Sequence, residues 1–346
     1  MRIILCALGS LFLVAAVSAQ WISQSSGTTA RFRGVSAASS KVAWASGGGG
    51  TYARTTDGGA SWQSSVMPGA SELDFRDVEA VDADTAYLLS IGNGEQSRIY
   101  KTTDGGRDWA LQFTNHNEKA FFDAFAFWDA RTGIALSDPV DGKFILIKTT
   151  DGGATWKEIP QTTSPRAIQG DGAFAASGTC IAVQGKRTVW FGTGGGASAR
   201  VFRSTDGGLT WRVASTPITA GNASSGIFSI AFKDARNGVI VGGDYKKENE
   251  SSNNIATTTD GGATWALAKG SRLSGFRSAV SYVPGRHGLM LVAVGPSGSD
   301  YSVDNGASWK SLDSTGYHAV SFAGPDGWAV GEKGRVGKYS AKNVSR

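Results

Sequence analysis

The chain has 346 residues, of which 18% are charged, and a formal net charge of +5. Its 34 lysines and arginines form no basic block, so no nucleic-acid partner is expected. With 48 glycines and 40% hydrophobic residues it reads as many short strands joined by tight turns, and disorder is excluded.

In chain order, Arg2, an apolar run over 3–17 and the small residues Val17, Ser18 and Ala19 read as a signal peptide spanning 1–19, cleaved near Ala19. The run is too short for a membrane span, and no other stretch is long enough. A periplasmic or secreted protein of 346 − 19 = 327 residues is expected, with 20–346 as one domain. Only Cys180 then remains, so no disulfide forms within the chain and folding relies on core burial.

An eight-residue phrase, Ser/Thr-x-Asp-Gly/Asn-Gly-x-x-Trp, follows six times, at 55–62, 102–109, 149–156, 204–211, 258–265 and 302–309. Its aspartates are Asp57, Asp104, Asp151, Asp206, Asp260 and Asp304, and their period of 44 to 55 residues marks an array of like units. Aspartate before glycine is a tight-turn signal, because glycine takes positive φ freely and the carboxylate accepts backbone N–H groups just beyond it. Strand-like flanks make each phrase a hairpin turn, with the tryptophan offered to the next unit. The aspartates are therefore structural.

Each unit also carries a first strand led by an aromatic residue and a second apolar strand. The second strands align on Trp44, Tyr87, Ile134, Trp190, Val239, Val292 and Trp328. The first strands begin near Phe32, Phe75, Phe121, Ala173, Ile227, Phe276 and Tyr317, seven starts for six phrases. The last unit lacks an outer strand, and Trp21-Ile22-Ser23-Gln24 has the look of one. The expectation is all-β: a seven-bladed β-propeller of four-stranded antiparallel blades, the last completed by the N-terminal strand.

In such a ring the first-strand starts converge on one mouth of the channel, opposite the hairpin phrases. That column reads Arg33, Arg76, Phe122, Phe174, Phe228, Arg277 and His318. Three arginines and a histidine facing phenylalanines suit an acidic group bound against an apolar wall. Asp77 and Asp123, at matching places in adjacent blades, and Asp138 and Asp141 in a second-strand loop, are the acids that glycoside cleavage would need. The glycine runs at 47–50 and 192–196 precede no helix and are not phosphate loops. His116 and His287 have no ligand spacing, so neither a metal nor a cofactor is expected.

The phrase resembles the Asp-box, or bacterial neuraminidase repeat, which families carrying it place on outer blade hairpins. From Trp21 onward the chain is similar to photosystem II assembly and stability factor-like propellers, with Gly327-Trp328-Ala329-Val330-Gly331 as a matching second strand. That resemblance implies a scaffold binding a protein partner or acidic ligand through an arginine patch, here Arg33, Arg76 and Arg277, and a monomer is expected. Asp-box sialidases and xyloglucan-cleaving enzymes keep a second reading open, a carbohydrate-active hydrolase or lyase. Sialidases, however, have six blades and an Arg-Ile-Pro segment where this chain has Phe32-Arg33-Gly34, and the xyloglucan enzymes pair two propellers.

Overall fold

Alternating apolar and polar residues give strands with one face toward each neighbouring sheet, and the turn phrases return each strand on itself. The computed structural model, which describes residues 20–285 and 289–340, arranges 28 strands as seven antiparallel four-stranded sheets. The molecule is a seven-bladed β-propeller. The segment 1–19 and His287 lie outside the described residues.

Blades one to six run over 32–66, 74–114, 122–158, 181–215, 225–267 and 279–313. Blade seven joins Ala319–Ala323, Asp326–Val330 and Val336–Ser340 to the N-terminal strand Gln20–Gln24, in the order expected. Trp21 lies opposite Tyr339 in that pairing, and its indole donates to Ser299 Oγ of blade six at 2.9 Å. No helix among the described residues is long and apolar enough to cross a membrane.

The second-strand column is the core of the ring. All seven of its members are buried, Trp44, Trp190 and Trp328 completely. Apolar clusters run from blade to blade: Trp44 of blade one packs with Phe75, Val78 and Leu88 of blade two. Polar side chains of the first strands add a second join. Ser36 Oγ accepts from Ala80 N, Asp77 Oδ2 from Phe125 N, Ser229 Oγ from Val280 N and Ser321 Oγ from Ala37 N, at 2.8 to 3.0 Å. The last of these bonds closes the ring between blades seven and one.

The repeated phrase is a self-bonded hairpin. In the first copy Thr55 Oγ1 donates to Asp57 Oδ1 at 2.9 Å and accepts from Gly59 N at 2.8 Å. Asp57 also accepts from Ser61 N and Ser61 Oγ. The same pattern recurs at Asp151, Asp206, Asp260 and Asp304, while Asp104 accepts from Thr102 Oγ1 and Asp108 N but has no hydroxyl at position 108 to complete the set. These hairpins join third to fourth strands, so they lie at the end of the ring opposite the first-strand starts.

Candidate functional site: a stoppered channel mouth

In four blades the first strand carries a β-bulge where it meets the channel. The pairing slips between Phe32 and Gly34, Phe75 and Asp77, Phe122 and Ala124, and Ile227 and Ser229. The extra residues are Arg33, Arg76, Asp123 and Phe228, re-aimed as bulges do. All four line one cavity of about 480 Å³ at this mouth, together with Arg31, Phe174 and His318.

The channel below is closed by the chain itself. Residues 172–179, ahead of blade four's first strand Ile181–Gln184, cross the pore. Their bonds reach most of the ring. Arg33 Nε donates to Ala176 O at 3.1 Å and Arg76 Nη1 to Ala175 O at 3.0 Å. Ala173 N donates to Asp138 Oδ1 at 2.8 Å, Ser177 Oγ to Ser278 O at 2.9 Å, and Thr179 Oγ1 meets Ser229 Oγ at 2.7 Å. Gly178 packs directly over Asp77, where a Cβ would collide with Oδ1.

The rim is basic. Burial and the charges of Arg76 and Arg31 pull the Arg33 guanidinium down to about 9. Arg76 Nε is held by Asp74 Oδ2 at 2.8 Å. His318 Nε2 contacts Glu332 Oε1 at 2.7 Å, and Arg31 pairs with the same oxygen at 3.2 Å. Burial and nearby Arg33 push His318 down to about 4, so at pH 7 it is neutral and its Nε2–H donates to Glu332. Across the cavity Phe174 stacks on Phe228, with centroids 3.9 Å apart and planes at 11°, and Phe276 abuts the same ring.

The floor is acidic. Asp123 is 1% exposed, and burial, then the charge of Asp138, raise its carboxyl well above the usual range. Burial also raises Asp138 to about 6. Asp123 Oδ2 is buried without a hydrogen-bond partner among the described residues.

Three expected site residues are corrected. Arg277 is fully buried, ion-paired to Asp300 at 2.6 Å, and does not line the cavity. Ser278 takes its column place, because Ser281 rather than Val280 pairs with Val292. Phe122 packs between blades two and three against Phe113, and Asp123 replaces it in the column. Phe174 does reach the cavity, but from the crossing segment, with Thr179 in its column place. The acids also part company. Asp77 sits one residue further along its strand than Asp123 does, accepts from Phe125 N, and is sealed beneath Gly178. Asp141 is an exposed turn residue with φ 49°, 3.3 Å from Lys119. Of these four, Asp123 and Asp138 face the cavity, which Glu248 also lines.

No family model matches the chain, and neither does any curated protein. Among solved structures, YCF48 bound to a D1 peptide superposes with a TM-score of 0.65 at 16% identity, over 93% of this chain and 97% of that one. In fold, the chain is similar to YCF48. YCF48 from Cyanidioschyzon merolae gives 0.62 at 16% identity, over 94% of this chain and 100% of that one. An ancestral GH74 enzyme gives 0.66 at 14% identity over 95% of this chain, which spans 47% of that enzyme's length. At these identities the likeness to YCF48, as to the GH74 enzyme, is one of fold.

Proposed function

We propose that the chain is an exported, non-catalytic propeller that binds a protein partner through an acidic group at the stoppered mouth. One observation carries this reading: Arg33 and Arg76, from neighbouring blades, line the same cavity as the Phe174–Phe228 wall. The crossing segment spends Arg33 Nε and Arg76 Nη1 on its own carbonyls, which fixes both guanidinium groups before any ligand arrives. A carboxylate is the group such a fork recognises. The fold likeness to a propeller bound to a peptide supports a peptide as the partner. The test is binding of a carboxylate-bearing peptide library to the wild type and to Arg33→Ala and Arg76→Ala. Each variant should weaken every hit by about tenfold or more, the loss of a charge-assisted bond. Unchanged affinities for all hits would remove the rim from the account.

Asp123 and Asp138 favour a second reading, a carbohydrate-active hydrolase, because two neighbouring buried acids can divide acid and base roles. Release of reducing sugar from a glycan panel by the wild type, abolished in Asp123→Asn, would support it. No release from any glycan would end it.

A further inference from the structure

The same cavity has opposite charges at its two depths. We propose that its acidic floor is a second subsite, which takes an ammonium group carried by the same peptide whose carboxylate the rim holds; this rests on the rim reading above. The observation is Asp123 Oδ2. Asp123 is 1% exposed, its β-bulge puts it in the cavity lining, and its Oδ2 has no hydrogen-bond partner among the described residues, although the backbone amides of Asp138 and Ala175 lie close enough to its carboxyl to favour the charged form. Buried acceptors in folded proteins are satisfied, and an orphan on a cavity-lining residue calls for a further donor. Asp138 lines the same cavity, with its Oδ1 taking the Ala173 amide, and lies close enough for its charge to act on Asp123. A hydroxyl would satisfy one lone pair only. An ammonium group brings three donors and the charge that two adjacent carboxylates require. Phe121 and Phe174 border the floor, and aromatic faces accept a cation. Arg31 and Arg76 are each paired with an acid, and Arg33, with no ion-pair partner among the described residues, is the rim cation that favours a carboxylate on the same ligand, which is therefore dipolar.

Burial and the charge of Asp138 keep a proton on Asp123 when the pair is empty, so ammonium binding should release one proton.

The probes are ω-amino acids from 4-aminobutanoate to 8-aminooctanoate, each compared by calorimetry with the alkanoate of equal length. At least one should bind about tenfold tighter than its alkanoate. Asp123→Asn and Asp138→Asn should each erase that gain, bringing the affinity ratio of amino acid to alkanoate to about one. If either variant fails to fold, the wild-type comparison still decides. A series in which no amino acid outbinds its alkanoate overturns the subsite and leaves the rim intact. Alkanoates that fail to bind, beside pentylammonium that does, would overturn the rim and keep the floor. The peptides Ac-Lys-Gly-Gly-Glu and Gly-Gly-Gly-Glu then tell a lysine side chain from a chain terminus as the source.

Discussion

Arg33 and Arg277 look alike in the sequence, yet one residue of register gives them opposite roles. Arg33 lines the cavity; Arg277 is sealed between blades, bonded to Asp300, Ser297 Oγ and Phe276 O. Truncating a buried pair leaves a bare charge, so Arg277→Ala should cost about 3–5 kcal/mol in denaturant unfolding. It should leave alkanoate affinity unchanged, whereas Arg33→Ala should do the reverse. The carboxyl groups divide in the same way by pH. Asp57 and Asp151 are held down to about 2, first by the hydroxyls of Ser61 and Thr155. They favour the fold above the unfolded value near 4, and that contribution is lost as pH falls through 2. Asp138 is raised to about 6 by burial. It favours the fold below pH 4, and that contribution is lost as pH rises from 4 to 6. His318, held down to about 4, works in the opposite direction over the same range, so the test is a difference: the change in melting temperature from pH 4 to pH 6 should be more positive in Asp138→Asn than in the wild type. Asp151→Asn should keep the wild-type change and reduce the loss below pH 4.

The crossing segment of residues 172–179 is the element that turns a ring of blades into a site. Its carbonyls aim Arg33 and Arg76, and Gly178 lets it pass over Asp77 with φ +76°. Gly178→Ala adds both left-handed strain and a Cβ that collides with Asp77 Oδ1. It should cost about 2 kcal/mol or more and weaken alkanoate binding. Gly27 has φ +73° with nothing within 4 Å of an added Cβ, so Gly27→Ala should cost about 1 kcal/mol and leave binding alone. This segment was hidden from the sequence for a physical reason. Phe174 looks like the aromatic start of a strand, but the strand begins at Ile181. The second strands were legible in every blade, since each column member is an apolar residue buried on both sides. First strands were harder, because a one-residue slip exchanges channel and core faces. A usable signal existed. Arg33, Arg76 and Phe228 each stand eleven residues before their second-strand column member, and the same offset from Ile134 and Trp190 reaches Asp123 and Thr179. Blade six escapes that rule because its first hairpin is longer, and blade seven, where His318 stands ten residues before Trp328, because its first hairpin is one residue shorter.

At the scale of the molecule, the mouth exists only while the ring stays shut. Residues 33, 76, 123 and 318 meet because seven sheets close on themselves, and the closing strand is five residues long. Trp21 is its anchor: 7% exposed, packed on Tyr317 and Tyr339, and bonded to Ser299 of blade six. Ile22, its neighbour on the opposite face, is 51% exposed. A large aromatic removed from such a site costs about 3–5 kcal/mol, while an exposed position changes stability by about 0.5 kcal/mol or less. Trp21→Ala should thus shift the denaturation midpoint strongly and Ile22→Ser hardly at all. How the loss is distributed tests closure itself. If the ring is one cooperative unit, amide exchange in Trp21→Ala should quicken in blade three as much as in blade seven, and alkanoate binding should fall with the folded fraction. Faster exchange confined to Ala319–Ser340 would mean that the last blade frays alone, and that the other six hold the mouth without it.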